Sequence, residues 1–454
     1  MKQNKKLSVA ITVFYFGFYL FIGLLLLINQ PFGDPPDEYA RYLIPQYIVE
    51  HGSLPNGYEE SIRIYGYGFS YGFQPILPYM LMSGVMMLVR LFTRSELALL
   101  YSARMVNLVL GLIMAAIVLQ LGKKWFRDRR LAWLFSFFVT FLPQSIFIHT
   151  YVNTDSCCML SIAIMLYGLT LGIKDGFRPS TSLCMAVGII LCALSYYNAY
   201  GYILSCILLF TVFFLTLKNG KLHFDTKGFF KKGLFIAAIV LLCISWWFIR
   251  SAILYDGDFL GLRSRDECAA LYAIPEFHPD TRVTWQSQGY SILDMLKISD
   301  FLYLSKLSFI ATYGHMSIQT SVWVYYFYQY LIEFGLLLCI LVPLSKTDCI
   351  SIPDTERKGL RVFWHVNMIF CMLMPLILSI YYSYSSDYQP QGRYLLPALI
   401  PLGYYCIHGW DKLLNLQKSK VVTGIVCLIC TGIVCMLLWT VFRHALPAYA
   451  AYTG

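Results

Sequence analysis

The sequence predicts an all-α polytopic membrane protein with about eleven transmembrane helices and two large loops on one side of the bilayer. Three observations lead to this prediction. Of 454 residues, 58% are hydrophobic and 13% are charged, with a mean hydropathy of +0.60, whereas soluble domains carry about 25% charged residues. Apolar runs of roughly 20 residues, the length that crosses a bilayer, recur along the chain. Basic residues cluster in short segments between those runs, as is typical of cytoplasmic loops.

Residues 7–28 form the first predicted span. The run is uninterrupted and follows the basic stretch 1–6. No small-residue cleavage site comes after it, so we interpret it as an anchor and not as a removed signal peptide. Ten further spans are predicted near residues 104–121, 131–148, 157–173, 182–197, 201–217, 233–249, 322–344, 361–382, 394–410 and 421–441. We therefore treat residues 1–454 as a single transmembrane domain.

The stretch 75–92 is apolar enough to span but begins with Gln74, Pro75 and Pro78 and contains Arg90. Charge decides its placement. If it does not cross, 22 of the 35 Lys and Arg residues fall on the cytoplasmic side and the short outer connections near 149–156 and 198–200 hold none, in agreement with the positive-inside rule. If it crosses, every later basic cluster faces outward. We therefore predict an interfacial or re-entrant helix and a cytoplasmic N-terminus.

This topology leaves two large extracytoplasmic segments, 29–103 and 250–321, both rich in Tyr, Gly, Pro and charge. Loops of this kind commonly carry function, because the spans serve as a rigid scaffold. The basic residues sit between spans as cytoplasmic anchors, so the net charge of +10 does not indicate a nucleic-acid partner. The lipid bilayer is the partner that the composition predicts.

The first candidate site follows the first span, in the sequence Pro35-Pro36-Asp37-Glu38-Tyr39-Ala40-Arg41. Two adjacent carboxylates at a membrane surface can act as a general base or help to hold a divalent cation. Arg41, one helical turn later, can pair with a phosphate oxygen. The alternative is that Asp37 caps the helix that begins after the two prolines.

The second candidate is Asp155, within Asn153-Thr154-Asp155 in the short outer turn between the third and fourth spans. A lone carboxylate at the mouth of an apolar helix is costly unless it faces a polar cavity or caps the helix. Both interpretations remain open at this point. The predicted topology brings Asp155 to the same membrane face as Asp37 and Glu38.

The third candidate is Arg393, within Gln391-Gly392-Arg393-Tyr394 at the outer end of the tenth span. A positive charge on the outer side needs a partner, and a lipid-linked phosphate fits it. The alternative is a side chain that snorkels towards outer headgroups. Arg104 occupies a comparable position on the second span. The sequence contains no Walker loop, zinc motif or Ser/Cys triad signature.

These motifs resemble those of membrane glycosyltransferases of the GT-C fold class, relatives of protein O-mannosyltransferases, aminoarabinose transferases and single-subunit oligosaccharyltransferases. The similarity is greatest to a bacterial branch that has Pro-Asp-Glu-x-x-His after the first span, Asn-x-Asp in the second outer loop and Gly-Arg-Tyr-x-x-Pro near the end. The corresponding residues here are Pro36-Asp37-Glu38, Asn153-x-Asp155 and Gly392-Arg393-Tyr394-x-x-Pro397. This chain departs from the pattern at Arg41, which stands in place of the His.

The resemblance implies a GT-C-like bundle and a polyprenyl-phosphate sugar as the donor, transferred to a hydroxyl of a glycan, lipid or protein acceptor outside a bacterial plasma membrane. It implies catalytic roles for Asp37, Glu38 and Asp155. Arg393, Arg41 and Arg104 are then the expected ligands of the donor phosphate, and Asn153, Tyr394 and Gln391 contact substrate. In some members a divalent metal, Mg or Mn, takes part, and Asp37 and Asp155 are its candidate ligands here.

Two other functions remain alternatives. A lipid-linked oligosaccharide flippase or other transporter is expected to carry charged residues deep within its spans, lining a path, whereas here the ionisable groups gather at one face. A polysaccharide polymerase shares the topology and an outer-loop arginine. Chain-length analysis of the product separates a polymerase from an enzyme that transfers one sugar.

Overall fold

A computed structural model describes residues 2–341, 358–414 and 417–453. The described chain is almost entirely helical, and its only strands form two short antiparallel hairpins. The helices are α1 Lys2–Asn29, α2 Glu38–His51, α3 Leu77–Arg90, α4 Glu96–Trp125, α5 Arg129–Phe141, α6 Pro143–Phe147, α7 Asp155–Asp175, α8 Pro179–Ala193, α9 Tyr200–Phe213, α10 Thr226–Leu254, α11 Leu262–Tyr272, α12 Ile292–Ile298, α13 Phe301–Ala311, α14 Val322–Leu341, α15 Lys358–Ser385, α16 Leu399–Leu414, α17 Ser419–Thr440 and α18 Leu446–Thr453.

Short helical turns and the two hairpins connect these helices. Three-residue 3₁₀ turns lie at Glu60–Ile62, Tyr71–Phe73 and Tyr197–Ala199, a longer 3₁₀ helix at Gly392–Ala398, and a π-helical turn at Val441–Ala445. Strands β1 (Leu215–Lys218) and β2 (Lys221–Phe224) pair with Leu215 opposite Phe224. Strands β3 (Thr312–Tyr313) and β4 (Ile318–Gln319) pair with Thr312 opposite Gln319.

Seven described helices are long and apolar enough to cross a membrane, which confirms the prediction of an all-α polytopic membrane protein. They are Lys6–Asn29, Glu96–Trp125, Asp155–Asp175, Thr226–Leu254, Val322–Leu341, Gly359–Ser385 and Ser419–Tyr452. In the apolar 18-residue stretch of α7, 83% of the residues are buried inside the protein, whereas in that of α10 the share is 17%. Helix α7 therefore lies at the centre of the bundle, packed against α4 and α8, whereas α10 lies at its periphery.

The other four predicted spans coincide with shorter helices. Helices α5, α8, α9 and α16 have 13, 15, 14 and 16 residues, or roughly 20 to 24 Å at 1.5 Å per residue. A straight helix of that length falls short of the roughly 30 Å hydrocarbon core. Three of them are continued by short helical segments: α6 follows α5, Tyr197–Ala199 precedes α9 and Gly392–Ala398 precedes α16. The predicted span 201–217 ends in strand β1.

Helix α3 has 14 residues, or about 21 Å, and the placement of 75–92 outside the bilayer stays a prediction. The helix packs against α2 and α4. Of the predicted basic segments, residues 346–357 and 415–416 lie outside the described residues, as do residues 342–344 at the end of a predicted span. The two long segments predicted as outer loops contain α2 and α3, and α11 to α13, respectively.

Candidate functional site

Asp37 occupies a strained turn between α1 and α2. Helix α1 ends at Asn29 and α2 begins at Glu38, with Pro35 and Pro36 between them. Asp37 adopts a left-handed backbone (φ 61°, ψ 4°), and its side chain makes no capping hydrogen bond. The alternative that this carboxylate caps α2 is therefore wrong. A left-handed non-glycine residue costs of order 1 kcal/mol or more, and such strain is concentrated at functional sites.

The Asp37 carboxylate pairs with two arginines from distant parts of the chain. Arg393 donates through Nη2 to Asp37 Oδ2 over 2.6 Å, and Nε of Arg41 lies 3.9 Å from the same oxygen. The Asp37 side chain is 32% exposed, whereas those of Arg41 and Arg393 are 3% and 2% exposed. Burial alone would raise the pKa of Asp37, but Arg393 and Arg41 outweigh it and lower that pKa to about 2. Asp37 is thus a carboxylate at neutral pH, reachable from outside the protein.

Arg41 is held by side chains from α3 and the turn before α7. Its Nη1 donates to the hydroxyls of Tyr79 and Thr154, each at 3.0 Å. The guanidinium lies 4.2 Å from the ring centroid of Tyr71. Nε is buried and has no hydrogen-bond acceptor. Arg41 is therefore fixed in place while keeping a donor available.

Arg393 is presented by the 3₁₀ helix Gly392–Ala398. Besides Asp37, it donates to the carbonyl oxygen of Pro36 at 3.3 Å and to the hydroxyl of Tyr394 at 2.9 Å. Its Nε is buried without an acceptor. Because the side chain is buried and paired, the alternative that it snorkels towards headgroups is wrong.

Gly392 allows the chain to approach α13 closely. A Cβ atom at this position would overlap the backbone of Phe309. The Gly392 amide donates to Ser308 Oγ at 2.6 Å. Glycine thus sets the position of the residue that follows it, which is Arg393.

Glu38 and Arg104 form a second pair that is sealed from solvent. Both side chains are 0% exposed. Arg104 donates to both carboxylate oxygens of Glu38 at 2.7 Å, and its remaining donors reach the carbonyl oxygens of Leu27, Gln30 and Pro31. All five N–H groups of the guanidinium are therefore occupied. Glu38 also accepts from the amides of Gly33 and Val152.

These contacts argue against the expected roles of Glu38 in catalysis and of Arg104 at a donor phosphate. A phosphate could bind Arg104 only by displacing a buried carboxylate and three carbonyl groups, which would leave them unpaired. The pair instead ties α1, α2, α4 and the turn before α7 together. Asp37 and Glu38 are adjacent in the sequence, but the side chain of Asp37 is partly exposed whereas that of Glu38 is fully buried.

Asp155 is the first residue of α7 and is 6% exposed. The helix cap is Thr154, which makes no side-chain capping bond. The charge of Asp155 interacts with those of Arg393, Arg41 and Asp37, so the three predicted motifs meet in one cluster at one end of the bundle.

Asn153 is occupied within its own turn. Its Nδ2 donates to the carbonyl oxygens of Ile148 and Tyr151, and its Oδ1 accepts from the amide and hydroxyl of Ser156. These bonds argue against the expected substrate contact, because every polar atom of the side chain is used to shape the turn that carries Asp155.

The other two expected substrate ligands lie beside Arg393. The Tyr394 hydroxyl accepts from Arg393 and donates to Gln389 Oε1 at 2.5 Å. Gln391 Oε1 is buried without a donor. Sequence reasoning did not single out Tyr71, Tyr79 or Thr154, which surround Arg41. The available signals were the position of Tyr71 and Tyr79 in the tyrosine-rich segment 29–103 and the position of Thr154 next to Asp155.

The residues at this cluster do not fit a divalent metal. Mg and Mn prefer oxygen ligands, but Asp37 Oδ2 already accepts from Arg393, and two guanidiniums beside it would repel a cation. Among the described residues, no three His, Cys, Asp or Glu side chains come together in a metal-binding arrangement.

Comparison with known proteins gives matches by structure only. No protein-family model matches the sequence, and no characterised protein matches it in a sequence search. The Archaeoglobus fulgidus oligosaccharyltransferase tethered to an acceptor peptide is 15% identical with a TM-score of 0.53, over 97% of this chain and 56% of that chain. The same protein in complex with Zn and sulfate is 15% identical with a TM-score of 0.55, over 94% and 52%.

A third match is ArnT from Cupriavidus metallidurans bound to undecaprenyl phosphate. It is 12% identical with a TM-score of 0.50, over 98% of this chain and 75% of that chain. The chain spans about half the length of the oligosaccharyltransferase that it matches. At such identities the likeness establishes the fold alone, and that fold is the GT-C fold of polytopic membrane glycosyltransferases, as the resemblance of the motifs predicted.

Proposed function

We propose that this chain is a membrane glycosyltransferase that moves a sugar from a polyprenyl-phosphate-linked donor to an acceptor hydroxyl on the extracytoplasmic face of a bacterial plasma membrane. The acceptor is a glycan, a lipid or a protein. One observation carries the proposal: a partly exposed carboxylate, Asp37, lies between two buried guanidiniums, Arg393 and Arg41. A base beside a phosphate-binding pair is what this reaction needs.

Asp37 acts as the general base. It accepts the proton of the acceptor hydroxyl while the acceptor oxygen forms a bond to the anomeric carbon of the sugar. The bond between that carbon and the phosphate oxygen breaks, and polyprenyl phosphate leaves. The low pKa of Asp37 keeps it ionised before the reaction.

Arg393 and Arg41 bind the donor phosphate and stabilise the charge that grows on it as the bond breaks. Each retains a buried Nε without an acceptor, and buried donors are normally paired. A phosphate at these groups also competes with Asp37 for Arg393. Donor binding thus weakens the interaction that lowers the pKa of Asp37 and makes it a stronger base when the substrate arrives.

Asp155, Tyr394 and Gln391 lie around this pair and orient the sugar or the phosphate. We assign Glu38, Arg104 and Asn153 positioning roles, since their polar groups are bonded within the protein. No step of this mechanism uses a metal, because the carboxylates are arranged around guanidiniums and not around a cation site. The solved relatives bound to undecaprenyl phosphate or to an acceptor peptide support the substrate class by analogy of fold.

The test is a turnover assay on purified protein with a panel of undecaprenyl-phosphate-linked sugars. Asp37→Asn should lower turnover by about 10² to 10⁴, the range of general-base catalysis. Asp266→Asn, at an exposed carboxylate of α11, is the matched control and should behave as wild type. Near-normal turnover in Asp37→Asn would refute the assigned base. Movement of a lipid-linked sugar across the vesicle membrane without covalent transfer would instead establish the alternative function, a flippase or transporter.

A further inference from the structure

A cavity of about 120 Å³ lies between α2, α3 and the start of α4. It shares no lining residue with the Asp37 cluster. Its walls include Tyr42, Gln46 and Glu50 from α2, Arg90 from α3, and Arg94 and Glu96 at the start of α4. The cavity therefore lies within 29–103, the first predicted extracytoplasmic segment, and borders the stretch 75–92 that is predicted to be an interfacial or re-entrant helix.

The charged groups of this cavity do not neutralise one another. Within the described residues, Arg90, Arg94, Glu50 and Glu96 form no ion pair. Arg90 Nη1 donates to the Val49 carbonyl at 2.7 Å, and Glu50 accepts from Gln46 at 2.9 Å. These four side chains are exposed, so two positive and two negative groups border one small space and can exchange water for the polar groups of a ligand.

Tyr42 supplies an independent observation. Tyr42 lines the cavity and is 5% exposed, and its buried hydroxyl has no hydrogen-bond partner. Buried hydroxyls are normally bonded, because leaving one unpaired costs free energy. The hydroxyl is therefore placed to bond something that enters the cavity.

The surface beside the cavity is apolar. Leu88, Leu91 and Phe92, which flank Arg90 in sequence, are 61%, 76% and 89% exposed. Bulky apolar side chains so exposed, next to arginines on an amphipathic helix, are typical of a helix in the membrane interface. Acyl chains can lie along these residues while a headgroup enters the cavity.

We propose that the cavity binds the headgroup of phosphatidylethanolamine. The lipid phosphate accepts bonds from Arg90, Arg94 and the Tyr42 hydroxyl, and the ammonium donates to Glu50 and Glu96. The volume is several times the roughly 10–15 Å³ that one water molecule needs by the same measure, which leaves room for a phosphate with a short ammonium arm. The bound lipid holds α2 against α3, and α2 carries Arg41.

The test is native mass spectrometry of the full chain reconstituted in vesicles of equal parts phosphatidylethanolamine, phosphatidylglycerol and phosphatidylcholine, then extracted into detergent. Phosphatidylglycerol has the phosphate without the ammonium, and phosphatidylcholine has a cation without N–H donors. Wild type should retain one phosphatidylethanolamine in preference to both. Arg94→Gln and Tyr42→Phe should each retain about tenfold less, while Arg127→Gln, at an exposed arginine between α4 and α5, should match wild type.

Tyr42→Phe keeps the test independent of misfolding. If its hydroxyl had no partner in the membrane, removing it would leave lipid retention unchanged and would raise thermal stability slightly. That result would overturn the proposal, as would equal retention of the three lipids or no retained lipid. Displacement of the retained lipid by millimolar inorganic phosphate would also overturn it, since the site would then be one for free phosphate.

Discussion

Arg393 donates to the carboxylate of Asp37 over 2.6 Å and thereby joins residues 356 positions apart in the chain. The pair brings the turn after α1 together with the 3₁₀ helix before α16. Arg41 approaches the same carboxylate oxygen, so one anion lies between two cations. The stability and the proposed chemistry of the site both depend on this arrangement.

The Asp37 ion pair predicts a pH dependence of stability. The pKa of Asp37 falls from its ordinary value of 3.8 to about 2 in the folded protein, so its stabilisation is complete above about pH 4 and is lost as the pH falls towards 2. The difference in thermal unfolding between wild type and Asp37→Asn, measured from pH 2 to pH 7, should follow this course. A difference that is constant with pH would contradict the assigned pKa.

Replacing Arg393 should weaken binding of undecaprenyl phosphate. Arg393→Lys keeps the charge but loses the planar fork that reaches Asp37, Pro36 and Tyr394 at once, so we expect an increase in Kd of about tenfold or more. Arg393→Ala should weaken binding further. Arg263→Ala, at an arginine that is 59% exposed, is the control, and Kd can be measured by microscale thermophoresis. An unchanged Kd in both Arg393 variants would place the phosphate elsewhere.

Breaking the Glu38–Arg104 pair should destabilise the fold. Glu38→Gln or Arg104→Met leaves the other charge buried and unpaired, at a cost of about 3–5 kcal/mol. The double variant removes both charges and should be more stable than either single variant. Thermal unfolding in detergent checks this order. Single variants as stable as wild type would show that the pair has no structural role.

Gly392→Ala should displace Arg393. The new methyl group overlaps the backbone of Phe309 in α13, which cannot move as a side chain can, and overpacking of this kind costs about 1–3 kcal/mol. We expect a lower unfolding temperature together with weaker binding of undecaprenyl phosphate. Gly424→Ala in α17, where a Cβ meets nothing within 4 Å, is the control. If both variants had the same unfolding temperature and the same affinity for undecaprenyl phosphate, the close approach of Gly392 to Phe309 would be contradicted.

The sequence by itself determined the class of protein, and it predicted that the candidate residues share one face of the bilayer. Hydropathy acts over one span at a time, so the long spans could be predicted from local composition, whereas the placement of 75–92 outside the bilayer stays a prediction. The lengths of α5, α8 and α9 could not be predicted, because these helices end at turns or at a strand within apolar sequence. The motifs at Asp37, Asp155 and Arg393 were recognisable because each is contiguous.

Only the tertiary structure decided which residues of each motif face the site. Asp37 and Glu38 are adjacent and chemically alike, yet a left-handed turn leaves Asp37 partly exposed between two arginines, whereas Glu38 is sealed against Arg104. Arg104 and Arg393 looked equivalent in sequence, but only Arg393 retains a donor. Spacing cannot distinguish such residues, because their roles depend on contacts with helices more than sixty residues away.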